Sequence, residues 1–568
     1  MAELLHNNSF SWGDALFLYI ERPGQPLSMA CVSIFDGAIP LKACRDFVES
    51  KLPLIPRYRQ HVAFPPFNLG LPSWQFDPHF DIRNHIRQVT LRHGTERQLK
   101  EVASNIVSTN LDRQRPLWDL TLVRGLEGGR TGMVARIHHC LADGVAGISI
   151  MNVLMDPAPV QHPAPGHKPR FEAPAKPDAG AQLLDSLVKS YFSAVKGALT
   201  LHSEALHIAQ EAFANPNGPL VDLMNVVPEI ATPAERLPFN VICHGPQKFE
   251  WTEIAMAEIQ AVRQNCGGGT VNDVILTVMA AAIRRYAELH GVRVKGRSVR
   301  IMIPVNVRGN GSVNELGNQI SFLPVTIPLD IRDSLKLFAV VRERMEYLKG
   351  AHAAEFVGFA GGLFATVPTA IWAAVGPVVS QLPLSLCNTI VTNIPGPQMP
   401  LYMLGRKMLS WYPYVPIGGE LGLNCAILSY NGTAYFGLTC DVHAVPDPER
   451  LAKFVDISFA ELRSGSSKLQ PQQPKAEPTA RPERKRPNAT IPVAKKPAVK
   501  VATKSRAKTK DVSPEVSAVH IKKPAKRKAP AAGKTVAVPS GLRPVATSGP
   551  EITTPAPNAE EALEMVGA

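Results

Sequence analysis

The sequence predicts an α/β protein of at least two domains. A chain of 568 residues is too long for a single hydrophobic core, and a hydrophobic content of 45% is enough for real cores. Strand-like segments also occur together with amphipathic segments that have helical periodicity. The predicted helices are LKACRDFVESKL, VNDVILTVMAAAIRRYAELH and DPERLAKFVDISFAELR, and the predicted strands of the second half are SVRIMIPVNV, QISFLPVTIPL, LCNTIVTNI, GLNCAILSY and TAYFGLTCDV.

Two hairpins are predicted from their turns. Asn431-Gly432 joins the last two predicted strands, and this dipeptide is typical of a type I′ turn. In the first half, WDLTLVRGL and TGMVARIHH flank the turn-rich EGGRTG. The second strand of this hairpin is expected to end at a pair of histidines, where the strand gives way to a loop and the helical segment VAGISIMNVLM.

Composition divides the chain into four parts. Of its 61 Lys and Arg residues, 20 lie from Gly465 to Ala568 beside only 8 acidic residues and no Phe, Trp or Tyr. Such a segment cannot bury enough apolar surface to fold, so it is predicted to be a disordered basic tail. The rest is nearly neutral, which argues against a folded nucleic-acid-binding surface. We predict an N-terminal domain over 1–155, a Pro-rich linker and amphipathic crossover helix over 156–245, a C-terminal domain over 246–464, and the tail over 465–568.

The cysteines and the N-terminus indicate a protein of the reducing cytoplasm. The eight cysteines are scattered without a CxxC pair, so neither a zinc site nor a disulfide framework is predicted. The first residues, MAELLHNNSFSWGDALF, lack the basic and apolar regions of a secretory signal.

The segment IHHCLADGVAG, 137–147, carries the strongest chemical signal. One interpretation is structural, with one histidine hydrogen-bonded in the core and Asp143 capping the next helix. A second is a metal site, although no third or fourth ligand lies nearby in the sequence. A third is general base catalysis by an imidazole, with Asp143 fixing the loop and Gly144 allowing a close backbone approach.

The surrounding segments favour the third interpretation. HHCLADG resembles the HHxxxDG signature of CoA-dependent acyltransferases, and the flanking sequence is similar to the bacterial wax ester synthase/acyl-CoA:diacylglycerol acyltransferase family over roughly residues 10 to 463. The segments that carry this resemblance, in the family's order, are PFNLGLPSWQFDPHFDIRNHI, LDRQRPLWDLTLVRGL, TVNDVILTVMAAAIRRY, IPVNVR, LGNQISFLPVTIP and NTIVTNIPGPQMPLYMLG.

The resemblance implies two chloramphenicol-acetyltransferase-like domains, each a mixed sheet flanked by helices, which meet along a tunnel. It also implies transfer of a long-chain acyl group from acyl-CoA, a co-substrate, to diacylglycerol or a fatty alcohol, without a cofactor or metal. His139 is expected to be the general base and His138 to support it, because neighbouring strand residues point to opposite sides. Asp143 is expected to orient the motif, and Asn272 is the candidate oxyanion donor, although an Asn at a helix start can also be a cap.

Three further segments concern packing and lipid contact. Pro116, Leu117 and Trp118 match the family's PLW element, which can serve packing or acyl contact. The segment 356–382 lacks charged residues but contains Pro368 and Pro377, so we expect it to line the acyl tunnel or dip into the lipid interface rather than span a membrane. The amphipathic segment after the linker can pack between domains or anchor at a surface.

These features predict a cytoplasmic enzyme bound peripherally to the inner face of the plasma membrane or to lipid inclusions, with a tail that binds anionic lipid or another polyanion. Two rival functions stay open. One is a tethering or granule-organising protein that works through its tail, and the other is acyl transfer to carrier-bound polyketide hydroxyls.

Overall fold

The computed structural model describes residues 10–141, 153–160, 232–306, 320–350, 367–379 and 386–469, with a few isolated positions elsewhere. These residues belong to one compact unit, Met1–Thr479. The predicted crossover helix and basic tail lie almost entirely outside the described residues.

The described part combines helices and strands, as expected of an α/β protein. Its helices are α1 Trp12–Ile20, α2 Leu41–Lys51, α3 Ile82–His85, α4 Glu96–Val107, α5 Met256–Asn265, α6 Val271–Leu289, α7 Ser334–Gly350, α8 Thr369–Val379 and α9 Pro448–Ser467. Its strands are β1 Ser28–Phe35, β2 Gln60–Ala63, β3 Ser73–Phe76, β4 Ile86–Thr90, β5 Trp118–Arg124, β6 Thr131–His138, β7 Gln247–Ala255, β8 Ser298–Asn306, β9 Ile320–Pro328, β10 Thr389–Pro395, β11 Tyr402–Met403, β12 Arg406–Tyr414, β13 Leu423–Tyr430 and β14 Thr433–Asp441.

The strands form two six-stranded mixed sheets and a small β2–β3 hairpin. The first sheet has the order β11-β12-β1-β6-β5-β4, and the second has the order β7-β14-β13-β10-β8-β9. Each contains both parallel and antiparallel pairs, such as β4 with β5 and β5 with β6. The predicted mixed α/β fold is therefore confirmed.

Both predicted hairpins are present. Strands β5 and β6 pair antiparallel, with Trp118 opposite Ile137. Strands β13 and β14 pair across Asn431 and Gly432, whose φ angles of 46° and 82° are those that a type I′ turn requires.

The first sheet contains two strands from the second half of the chain. Strand β12 pairs antiparallel with β1, so Ala30 lies opposite Tyr414, and β11 pairs with β12. Strand β12 also crosses β14 so closely that a Cβ at Gly437 would lie 1.8 Å from the Pro413 carbonyl oxygen. Part of the predicted 246–464 domain thus completes the N-terminal sheet, a pairing that local patterning does not reveal.

Helix α9 covers the second sheet and continues beyond the predicted start of the tail. It extends to Ser467, and Ser466 is fully buried. The chain therefore remains part of the folded core for three residues beyond Ser464, because the last helical turn packs near Leu335 on α7.

Helix α8 is the described part of the predicted hydrophobic segment 356–382. It runs over Thr369–Val379 with Pro377 inside it. Within the described ranges, every helix is too short or too polar to cross a bilayer.

Candidate active site

The histidine pair lies at the C-terminal end of β6, at one end of the first sheet. The His138 N–H donates to the Leu117 carbonyl at 3.0 Å, and the His139 N–H donates to the Leu27 carbonyl at 3.0 Å. These bonds tie the strand end to both neighbouring segments. His138, the last residue of β6, is fully buried, while His139, the first residue beyond the strand, is half-buried.

The His138 ring is engaged on both sides. Its Nδ1 accepts the backbone N–H of Cys140 at 3.1 Å. Its Nε2 lies 3.2 Å from Glu21 Oε1, an ion-pair contact in which the ring N–H is not aimed squarely at the oxygen. An imidazole held in this way can orient the strand end, since both of its ring nitrogens lie against protein groups.

Glu21 is a buried carboxylate with three partners. It follows α1, is 8% exposed, and accepts the Leu27 N–H through Oε1 at 3.0 Å. Arg113 donates to Oε2 from Nη2 at 2.8 Å and from Nε at 3.2 Å. Burial alone would raise the pKa of Glu21, but the His138 imidazole, the Leu27 N–H and the Arg113 guanidinium lower it to about 2. The carboxylate therefore stays ionised at cellular pH.

The His139 ring lies against an aromatic side chain of α1. Its ring is stacked on Phe17, with the centroids 4.0 Å apart and an interplanar angle of 15°. Burial, which penalises the charged imidazolium, lowers the pKa of His139 to about 4, and the neighbouring His138 acts in the same direction. His139 is therefore neutral at cellular pH, which is the protonation state of a base.

Asn272 lies in the other half of the protein, on the first turn of α6. The cap of this helix is Thr270, whose hydroxyl accepts the Asp273 N–H, while the Asp273 carboxylate accepts the Thr270 N–H. The capping role considered for Asn272 therefore belongs to Thr270. The Asn272 Oδ1 accepts a hydrogen bond of 2.7 Å from Asn393 Nδ2 on β10, which leaves its own NH₂ group directed away from that contact.

The PLW residues pack beneath the histidines. Leu117 is fully buried and Trp118 is 4% exposed. The Trp118 indole donates to the Tyr58 carbonyl at 2.8 Å and stacks on His85 with the centroids 4.5 Å apart. Of the two interpretations of this element, these contacts favour packing. Asp143 and Gly144 lie outside the described residues.

Three residues of this site were missed by sequence reasoning, namely Phe17, Glu21 and Arg113. The available signal was weak: Glu21 is an acidic residue that directly follows the apolar run LFLYI, and Arg113 lies inside LDRQRPLW. Phe17 contacts His139, Glu21 contacts His138, and Arg113 contacts Glu21. These are tertiary contacts, so no motif spacing connects them.

The described residues show neither a disulfide bond nor a group of side chains suited to a metal ion. All eight cysteines are free thiols. Within the described ranges, no three His, Cys, Asp or Glu side chains form a group that could hold a metal ion.

Comparison with known proteins identifies the family. Residues 10–275 match the family model described as the wax ester synthase/diacylglycerol acyltransferase catalytic domain, and residues 316–463 match the WS/DGAT C-terminal domain. The chain is 26% identical over 463 residues to the probable diacylglycerol O-acyltransferase tgs1 of Mycobacterium tuberculosis, which covers 79% of this chain and 94% of that protein. It is 28% identical over 460 residues to tgs2 of the same organism, with coverages of 79% and 97%.

A solved structure shares the fold. The wax ester synthase/diacylglycerol acyltransferase from Marinobacter aquaeolei VT8 superimposes with a TM-score of 0.56 at 21% identity, covering 81% of this chain and all of that one. Since the two family models together match well over half of the residues, the chain belongs to the wax ester synthase/diacylglycerol acyltransferase family and is an acyltransferase.

Proposed function

We propose that this acyltransferase moves a long-chain fatty acyl group from acyl-CoA to the free hydroxyl of diacylglycerol, with His139 as the general base. Fatty alcohols, which would give wax esters, are a second acceptor class consistent with the family. The observation that carries the assignment of the base is the difference in burial between the two histidines: His138 is fully buried against Glu21 and Cys140, whereas His139 is half-buried, stacks on Phe17 and has a pKa of about 4.

The proposed reaction is a direct transfer. His139 takes the proton of the acceptor hydroxyl as the oxygen attacks the thioester carbonyl, which forms a tetrahedral intermediate. When the carbon–sulfur bond breaks, the imidazolium returns this proton to the departing CoA sulfur. The products are the ester and free CoA, and the histidine ends in the neutral form in which it began.

The low pKa of His139 has a defined role in this scheme. A histidine with a pKa of about 4 is unprotonated at neutral pH, and its conjugate acid readily gives the proton to the thiolate, although the neutral ring is a weaker base than one that titrates near the working pH. Phe17 keeps the ring oriented by stacking on it, so the imidazole loses little freedom when the acceptor binds.

Glu21 and Arg113 are proposed to position the pair. They act through His138 and the Leu27 segment, to which the His139 backbone is also bonded. Asn272, with its carbonyl oxygen held by Asn393, is proposed to donate its NH₂ group to the oxyanion of the intermediate.

The location of this reaction is also a proposal. Diacylglycerol, fatty alcohols and their esters are insoluble in water, so the enzyme is expected to work at the inner face of the plasma membrane or at lipid inclusions. The basic tail would add electrostatic attraction to an anionic surface.

The proposal is tested with an acceptor panel. Purified protein and radiolabelled palmitoyl-CoA are incubated with diacylglycerol, hexadecanol or a carrier-bound hydroxyl, and labelled esters are measured against the His139→Ala variant. We expect labelled triacylglycerol that disappears in the variant. Transfer to the carrier-bound acceptor alone, or transfer that is unchanged in the variant, would contradict the proposal.

A further inference from the structure

The solvent-exposed face of helix α8 is apolar, whereas that of a surface helix is normally polar. Its exposed residues are Ile371, Ala374, Val375, Val378 and Val379, which recur with the spacing of one helical face. Ile371 is 48% exposed and Val378 is 60% exposed. A helix face that contacts only water normally carries polar side chains. This face therefore indicates contact with an apolar partner.

A neighbouring loop adds a second exposed apolar group. Phe67 is 87% exposed, and its backbone has a φ of 56°, in the left-handed region that a phenylalanine rarely adopts. Thr369 fastens this loop to α8, since its hydroxyl donates to the Asn68 carbonyl at 2.9 Å and accepts the Gly70 N–H at 3.1 Å. The loop and the helix are thus held together as one surface.

We call this the apolar surface. It comprises Phe67, Leu69, Ile371, Val375, Val378 and Val379, all of them exposed.

The two segments that supply the apolar surface carry no charge. Residues 60–76 and 356–405 contain no Asp, Glu, Lys or Arg. Interfaces between proteins normally have a polar rim around their apolar core. Diacylglycerol and triacylglycerol are themselves uncharged, so a lipid phase rich in them matches this surface in charge as well as in polarity.

The apolar surface is packed against helix α1, which contacts His139 and leads directly into Glu21, the partner of His138. Helix α8 approaches α1 so closely that a Cβ at Gly376 would lie 2.9 Å from the Tyr19 carbonyl oxygen. The rings of Trp12 and Trp372 meet edge to face at 5.9 Å. Helix α1 in turn holds Phe17 against His139, one layer beneath the surface.

We propose that the apolar surface docks the enzyme onto the uncharged part of a lipid surface, so that the acceptor lipid lies beside α1 and the histidines. This inference rests on the proposed function and adds to it the face through which the enzyme meets its acceptor. It differs from tail-mediated attraction in two measurable respects: docking requires no anionic lipid, and it persists in high salt.

The first test measures binding of the full chain to vesicles of phosphatidylcholine and diacylglycerol in about 1 M salt, where the Debye length is about 3 Å. The variant Ile371→Ser/Val378→Ser is compared with Ile457→Ser/Val241→Ser, which changes the same residue types at positions 45% and 41% exposed elsewhere. We expect the first variant to bind at least about tenfold more weakly, and the second within about twofold of the parent. Phe67→Ser should weaken binding in the same way.

Three results would overturn the docking inference. One is equal binding by the two double variants. Another is binding that needs anionic lipid and disappears in high salt, which would assign it to the tail. The third is loss of a dimer in the Ile371→Ser/Val378→Ser variant with unchanged vesicle binding, which would make the surface an interface with a second copy.

An activity assay separates this inference from the proposed function. The Ile371→Ser/Val378→Ser variant should lose about tenfold on vesicle-bound diacylglycerol but keep its rate on a water-soluble short-chain alcohol. If the parent protein transfers acyl groups to neither acceptor, the proposed function fails. If the parent is active and the variant matches it on vesicles, only the docking inference fails.

Discussion

The end of β6 and the start of α6 hold their polar side chains by different means. At β6, the ionised Glu21 contacts His138 and is paired with Arg113. At α6, a neutral amide pair, Asn272 with Asn393, lies beside a helix cap. In a buried environment, a fixed charge such as Glu21 holds its hydrogen-bond partners strongly. A neutral amide instead offers a hydrogen-bond donor without adding charge near a developing oxyanion. The difference suggests that the first half of the protein moves the proton and the second half stabilises the intermediate.

The largest expected effect is that of His139→Ala. Removal of a positioned general base should lower acyl transfer by about 100-fold to 10,000-fold, measured as kcat with palmitoyl-CoA and diacylglycerol. Binding of acyl-CoA should remain. His138→Ala is the comparison, and a greater loss in that variant would reverse the roles assigned to the two histidines.

Asn272→Ala tests the role of the second half. Loss of one oxyanion donor should lower kcat by about 100-fold to 1,000-fold while KM changes little. Asn393→Ala should cost less, because it removes only the group that orients Asn272. A lowered melting temperature with an unchanged kcat would show that the amide pair serves packing alone.

Glu21→Gln removes the charge beside His138 and keeps the side-chain shape. We expect a loss of about 10-fold to 100-fold in kcat, by analogy with partners that orient metal-bound imidazoles. Glu21→Asp should restore part of it.

Glu21→Gln should also change the stability of the fold at acid pH. The folded pKa of Glu21, about 2, lies below its unfolded value, so this carboxylate stabilises the fold above the unfolded pKa. That contribution is lost as the pH falls toward 2, and it should be absent from Glu21→Gln in urea titrations between about pH 5 and pH 2. Identical acid profiles for the parent protein and Glu21→Gln would contradict the stabilising role of the ionised Glu21 carboxylate.

The pH dependence of turnover reports on His139. Because transfer requires the neutral ring and its pKa is about 4, kcat/KM should stay level from about pH 8 to pH 5 and fall only as the pH drops through 4. A histidine with an ordinary pKa would already lose half of its neutral form near pH 6.5. Circular dichroism over the same range checks that the fold is intact, and a midpoint near 6.5 would show that the ring is solvated in the working enzyme.

The smallest expected effect on catalysis is that of removing the tail. A chain that ends at Leu469, which keeps the last turn of α9, should retain most of its activity on detergent-dispersed acceptor. It should bind anionic vesicles more weakly than the full chain, and with a shallower dependence on salt. Loss of activity in detergent would place the tail within the catalytic fold.

Local patterning predicted the elements that carry this comparison. The alternation along β6 predicted different environments for His138 and His139, which differ in burial, and Asn431-Gly432 marked the last hairpin. The role of Asn272 was ambiguous, because an Asn at a helix start can also be a cap, and only the structure assigns the cap of α6 to Thr270.

The contacts that complete the site could not be predicted in this way. Glu21, Arg113 and His138 meet only because α1 and the segment before β5 fold over the end of β6. Pairing of β1 with β12 likewise joins strands that are far apart along the chain, and a sequence pattern records only which residues are apolar, not which strand they will meet.

Strand β1 is synthesised long before its partner β12, and this separation affects folding during synthesis. When β1 leaves the ribosome, the strand that pairs with it at Tyr414 has not been made, and at about 5 to 20 residues per second it follows roughly 20 to 80 s later. During this interval, the apolar strand SMACVSIF is the open edge of a partly formed sheet, which is a template for pairing with other chains. We therefore expect fragments that end before residue 406 to aggregate when they are expressed alone.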